Sequence, residues 1–319
     1  QDVFTEPSPF NLDVRVSVIA NGCTDRTVEI SETYLEKTSV FVGNIIQIDK
    51  PSKSNAWNEF IHHRDGRDID YFLCMDSDIK FGSDNVISTL IERLSVSEEA
   101  YLAVDNAQKD TLLKANKTLF ERFSLFFSRI MKQGSTAVAG SLYCAKGHQL
   151  RKIYMPDGLP VEDGFLRAML VTDLFTQKDN NQRIMVVDDV CHYFTPDPSI
   201  KSLFKHEERL LIGTFINSVI YRYLWAEVPR TGNDAGVLIS ENNSSNPLWV
   251  EQLINEYRLT NEKMIPKHFY SKYWKRWKTL SHTKKIITFP LIAVATFIKY
   301  FLLKKVERRL INESGLGVW

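Results

Sequence analysis

Five residues, Tyr71-Phe72-Leu73-Cys74-Met75, run without polar alternation and stop at two carboxylates, Asp76 and Asp78, with one serine between them. Such a run suits a strand covered on both faces, as in a parallel sheet. It places the carboxylates at the strand's carboxyl end, the edge where the loops of an open α/β sheet frame a ligand crevice. Two hard oxygen donors one residue apart can share a divalent cation that completes its shell with water and substrate phosphate. Asp-Ser-Asp also reads as a solvated turn, because both residue types close turns through local hydrogen bonds.

The flanking sequence repeats the same grammar. Residues 14–20 (VRVSVIA) form a β-branched run that stops at NGCTDRT, an Asn-Gly turn followed by Thr and Asp able to cap a helix from Thr27. Residues 40–48 (VFVGNIIQI) predict the next strand, and KSNAWN (53–58) opens a helix to about His63. A short helix over 86–94 and a strand within 101–107 follow the Asp-Ser-Asp turn. Strands alternating with helices predict an α/β fold, a mostly parallel sheet flanked by helices.

Further on, Leu119, Phe120, Phe123, Phe126, Phe127 and Ile130 make a helical stripe within 111–133, read as core packing over a membrane or acceptor contact. The small residues of AVAGSLY (137–143) allow close approach of a ligand or a second backbone. Glu162 and Asp163 open a helix in LPVEDGFLRAML, where acidic residues also serve the helix dipole. IMVVDDVCHYF (184–194) predicts one more strand.

At 319 residues, 44% apolar and 25% charged, the chain has the composition of a folded protein. Its net charge of +1 is unevenly placed. Residues 263–309 hold thirteen Lys or Arg against one acid, Glu307, which leaves −11 on the remainder. Cys23, Cys74, Cys144 and Cys191 are far apart and lack finger spacing, so they are expected as reduced, mostly buried thiols of a cytosolic domain. No signal peptide is visible, and Gln1 suggests a fragment or processed form. The polar stretch 232–246 is the linker candidate.

In this order the pieces resemble the family 2 glycosyltransferases, with their A-type, nucleotide-sugar-binding fold. NGCTDRT is similar to the family's Asp/Asn-Gly-Ser-Thr-Asp-x-Thr turn, KSNAWN to its Gly-Lys-x-x-Ala-x-Asn helix opening and DSD to its Asp-x-Asp metal motif. AGSLY is similar to its acceptor-side segment and VEDG to its Glu-Asp motif, the five spread over residues 14–170. The resemblance implies a nucleotide-diphosphate sugar donor and a glycan or lipid-linked acceptor, in the setting of polysaccharide biosynthesis. It implies that Asn21 meets the nucleotide base with Asp25 in support, and that Lys53 lies near the nucleotide. Asp76 would contact ribose or metal, and Asp78 would bind Mg2+ or Mn2+ across the diphosphate. A cation there would stabilise the charge of the departing nucleoside diphosphate. Asp163 is the expected general base, taking the acceptor's hydroxyl proton as the oxygen attacks the anomeric carbon with inversion. Glu162 would orient the site or hold the acceptor.

Three departures accompany the match. The family's opening strand is not found before residue 14, so part of the nucleotide pocket is expected to be missing from residues 1–319. FKHEERLLIG stands where polymer synthases carry Gln-x-x-Arg-Trp, so Arg209 matches the arginine near the diphosphate while His206 and Leu210 replace Gln and Trp. This weakens a processive reading. His192 is a candidate metal or phosphate ligand or a structural strand-end histidine. The alternative function is a catalytically impaired nucleotide-sugar-binding or scaffold protein of the same fold. A sugar-phosphate nucleotidyltransferase would carry a Gly-rich basic loop near its start, and none is present.

The expected organisation is a catalytic domain over 1–231, a linker and short helix over 232–262, and a membrane-associating tail over 263–319. In that tail, residues 286–303 hold one charge, Lys299, between Lys284-Lys285 and Lys304-Lys305. Eighteen helical residues span about 27 Å, just short of a hydrocarbon core. Pro290, Lys299 and the preceding KYWKRWK (272–278) favour a helix lying in the interface. The other reading is a helix packed on the catalytic domain. Aromatic and aliphatic content argues against nucleic acid as the tail's partner, and the expected place is the cytoplasmic side of a membrane.

Overall fold

The computed structural model describes residues 13–37, 41–49, 51–62, 69–119, 121–122, 124–126, 138–196, 199–261 and 263–312. The β-branched runs become β1 (Arg15–Asn21) and β2 (Val42–Ile48), joined by α1 (Thr27–Lys37), and α2 (Lys53–His62) follows. The apolar run is β3 (Tyr71–Met75), then β4 (Lys80–Phe81), α3 (Val86–Ser95), β5 (Leu102–Asp105) and β6 (Gln108–Lys109). Next come β7 (Leu142–Lys146), α4 (Gly147–Leu150), α5 (Glu162–Val171), β8 (Ile184–Val187) and β9 (His192–Phe194). The rest is helical: α6 (Ile200–Thr231), α7 (Ala235–Ser245), α8 (Trp249–Thr260), α9 (Lys272–Lys278) and α10 (His282–Asn312).

Strand pairing is mixed. β1 pairs with β2 in parallel, as the crossover helix requires. β3, β7, β5 and β8 form a second sheet, in which β3–β7 and β5–β7 are antiparallel and β5–β8 parallel. β4, β9 and β6 form a third. β3 is therefore bordered by an antiparallel neighbour, and only Phe72 of its five residues is fully buried. The 184–194 strand is two strands in different sheets, because the Asp188-Asp189 turn separates them.

β7 shows how the layers are filled. Leu142 and Cys144 face α3 with Val86, Leu90 and Leu94, whereas Tyr143 and Ala145 join the larger core with Trp57, Phe165 and Phe215, as period-two alternation dictates. The stretch expected as a linker is instead α7 and α8. Ala235, Leu238, Ile239, Trp249, Val250 and Ile254 are buried in the main core, and Asp234 caps α7 by accepting from the Val237 amide. Its polar composition belongs to the outward face of a packed helix. α10 likewise gives Leu303, Val306 and Leu310 to that core.

Of the 111–133 stripe, Phe120, Phe123, Phe127 and Ile130 lie outside the described residues, while Leu119 and Phe126 are exposed. Among the cysteines only Cys144 is fully buried, and Cys23 is exposed.

Candidate active site

α2 starts where β1 ends because Asn21 accepts the Ser52 amide at 2.9 Å. Asp25 accepts the Thr27 amide and hydroxyl at 3.0 and 2.5 Å, a cap for α1, and that hydroxyl and amide hold its carboxyl below the usual range. The first turn of α2 also seizes the approach to α5: Leu159 donates its amide to Ser54, and Gly158 to Asn55. These bonds place Lys53 between two acids. Its Nζ lies 3.2 Å from Asp76 Oδ1 and 2.9 Å from Glu162 Oε1. Burial pulls the Lys53 pKa down, but the attraction of Glu162 and Asp76 outweighs it, and the net shift is upward.

The third wall is the small-residue segment. Ser141 accepts the Asp76 amide at 2.9 Å, which fixes the strand end. A Cβ on Gly140 would stand 3.3 Å from Asp163 Cβ, 3.4 Å from Glu162 Oε1 and 3.7 Å from Lys53 Nζ. The missing side chain is what lets both carboxylates approach. Asp163, its Oδ1 accepting the Gly164 amide at 2.6 Å, is raised above the usual carboxylate range by burial and by Glu162, against the pull of Gly164, Lys53 and Arg209.

The fourth wall is one stripe of α6. Arg209, Gly213, Asn217 and Tyr221 recur every four residues and so share a face. Asn217 donates to the Val161 carbonyl at 3.0 Å and Tyr221 to the Gly164 carbonyl at 2.9 Å, while a Cβ on Gly213 would meet Val161 Cγ2 at 2.3 Å. This stripe clamps the start of α5, and the charge of Arg209 at its head acts on Asp163.

His192 sits apart from this cluster. Fully buried, it places Nδ1 2.8 Å from both oxygens of Asp105 and Nε2 2.8 Å from Ser141 Oγ. A carboxylate only accepts, so Nδ1 carries a proton, while Nε2 shares a hydrogen bond with the Ser141 hydroxyl. To ligate a metal, His192 would have to release Ser141. Asp78 is exposed beyond the strand end, and among the described residues no three His, Cys, Asp or Glu side chains gather into a metal cage.

The structure thus unites Lys53, Asp76, Glu162 and Asp163, with Arg209 behind them. Asn21 and Asp25 shape the turns leading to the cluster. Sequence reasoning missed Asp105 and Ser141 as partners of His192, and the α6 stripe. Signals existed in both cases: a lone acid ending the apolar run LAVD, and the four-residue spacing from Arg209 to Tyr221.

Residues 8–151 match the model of the family described as glycosyl transferase family 2. The fold is similar to that of a mannosyltransferase from Pyrobaculum calidifontis solved with GDP-Man and Mn2+, at a TM-score of 0.50 over 94% of this chain and 78% of that one, with 12% identity. Glucosyl-3-phosphoglycerate synthase from Mycobacterium tuberculosis, solved with Mn2+, UDP-glucose and phosphoglyceric acid, gives 0.43 over 63% of this chain and 67% of that one, with 15% identity. No curated protein matches the chain. The chain thus has the A-type glycosyltransferase architecture, and β1, Lys53, Asp76, Asp78 and Gly140 all lie inside the span that matches the glycosyl transferase family 2 model.

Proposed function

We propose that the protein transfers a sugar from a nucleoside diphosphate donor to a hydroxyl of a glycan or lipid-linked acceptor, with inversion. The observation that supports this best is Lys53 bound to both Asp76 and Glu162, with Asp163 beside them against Gly140. One cluster then holds a cation for the diphosphate, carboxylates for a metal, and a carboxylate for the acceptor's proton.

Asp76 and Asp78 suit Mg2+ or Mn2+: they are hard oxygen donors at a partly exposed strand end, and no cage of described residues closes around them. Most of the coordination shell is left for water and diphosphate oxygens, as Mg2+ sites usually require. When bound, the cation supplies Lewis-acid stabilisation of the leaving diphosphate. Lys53 and Arg209 add positive charge on the same side. Asp163 takes the hydroxyl proton while the acceptor oxygen bonds to the anomeric carbon and the bond to the diphosphate breaks. Its raised pKa brings it closer to the operating pH, where a general base is most effective. Attack opposite the leaving group inverts the anomeric centre. Asn21, supported by Asp25, stands at the base end of the donor.

The test is a panel of nucleotide sugars assayed for release of nucleoside diphosphate with Mn2+ and with EDTA. Metal-dependent release from one donor supports the reading. Donor binding without release or transfer to any acceptor would establish the impaired, binding-only alternative.

A further inference from the structure

α10 is apolar on opposite faces, and only one is covered. Ile292, Leu303, Val306 and Leu310 are buried, as is Lys299, so the inner face is committed to the protein core. On the other side Ile286, Phe289, Val294, Phe297, Tyr300 and Phe301 are exposed, Ile286 by 71% and Phe297 by 65%. At 100° per residue these six fall within one arc of less than half a turn. A stripe of large apolar side chains on this scale marks an interaction surface.

The surroundings say what covers it. Lys284 and Lys285 precede the stripe, Lys304 and Lys305 follow it, and exposed Lys275 and Lys278 come from α9. Trp274, Trp277 and Phe289 form an aromatic knot at the amino-terminal end of the stripe, with ring centroids 5.5 to 6.1 Å apart. The Lys285 ammonium lies 5.9 Å from the Trp277 ring. Apolar side chains at the centre, tryptophans at one end and lysines around the edge match the layers of a bilayer interface: acyl chains, headgroup boundary and anionic phosphate.

We propose that this face of α10, with α9, docks in the plane of an anionic lipid surface. The reading is independent of the proposed transfer reaction. It also excludes a spanning helix: among the described residues none is long and apolar enough to cross a membrane, and crossing would strip Leu303, Val306 and Leu310 from the core.

The test is flotation of the whole chain with phosphatidylcholine vesicles, with and without phosphatidylserine, at low and high salt. Binding is expected only with phosphatidylserine, and weaker at high salt. Lys275→Ala and Lys284→Ala should each weaken it roughly five-fold. Phe297→Ser and Phe301→Ser should each weaken it roughly ten-fold or more, with the circular dichroism melt unchanged because both side chains lie outside the core. Equal binding to both vesicle types overturns the electrostatic part. A chain that stays unbound as a monomer overturns the proposal, as does a dimer in sedimentation that Phe297→Ser dissociates.

Discussion

Replacing Lys53 with methionine tests the candidate site at its centre. The substitution keeps most of the aliphatic stem and deletes the ammonium that meets Asp76 at 3.2 Å and Glu162 at 2.9 Å. Lys53 is 41% exposed, so each contact carries a solvent-screened value of about 0.5–1 kcal/mol, roughly 1–2 kcal/mol together. For a chain of this size that lowers Tm by about 1.5–3 °C. The effect on donor use is larger. A charge-assisted hydrogen bond to a diphosphate contributes about 1.5–3 kcal/mol, which predicts KM for the donor rising roughly 10- to 100-fold. Removing the cation also removes part of what holds Asp163 down, so the acid limb of the rate profile moves to higher pH. Donor titrations over a pH series, with thermal melts of both proteins, measure all three quantities. Glu162→Gln in the Lys53→Met background should recover part of the lost stability, because it removes a carboxylate left without its partner. An unchanged Tm and KM, or an acid limb that moves downward, refutes the reasoning.

Asp163→Asn should cut transfer by roughly two to four orders of magnitude while leaving donor affinity near wild type; weakened donor binding with near-normal transfer would move Asp163 to the donor site. Because folding raises the Asp163 pKa, its ionisation opposes the fold: the contribution is intact below the unfolded value and is lost as pH rises through the folded one. The Asn variant should therefore match wild type in acid and gain relative stability toward neutral pH, read from denaturant midpoints across that range. Asp78→Ala should abolish Mn2+-dependent donor cleavage with an unchanged melt, and wild-type cleavage equal in EDTA and Mn2+ would remove the metal from the scheme. Asp105→Ala leaves the buried His192 Nδ1–H without its acceptor, at a cost of about 1–3 kcal/mol; a melt within error of wild type would show that water replaces the carboxylate. Glu208→Gln weakens the pairing of α6 with Lys305 at 2.7 Å and Arg309 at 3.5 Å, and about 1 kcal/mol is expected because Lys305 is 67% exposed.

Much of this fold could be read from periodicity. β1, α1, β2, α2, β3 and α3 lie within two residues of where β-branched runs, turns and caps place them, because each is decided by residues close in sequence. α7 was hidden by its composition: SENNSS looks like a linker until Ala235, Leu238 and Ile239 find a core supplied by distant helices. The left-handed residues Asp173, Leu174 and Phe175 were invisible too, since neither glycine nor asparagine marks them; burial of Leu174 and Phe175 holds them there. In the site, Asp76, Glu162 and Asp163 each sit in a local motif. The His192–Asp105 bond joins residues 87 apart, and no local pattern encodes such a pairing.

The neighbours Glu208 and Arg209 show how the two halves of the chain are joined. About 100° apart on α6, they face different partners. Glu208, nearly buried, is held by Lys305 and Arg309 of α10, while Arg209 heads the stripe that clamps α5 and lowers the Asp163 pKa. α6 is thus the back wall of the carboxylate cluster and the floor on which the basic tail rests. Its 32 residues are stiffened by a Ser199–Ser202 capping box and closed by a left-handed Gly232. A helix bonded on both sides cannot shift against one partner without disturbing the other. The position of Arg209, and with it the charge balance at Asp163, therefore depends on α10 remaining seated, which is the geometric reason the tail cannot be treated as an appendage of the catalytic fold.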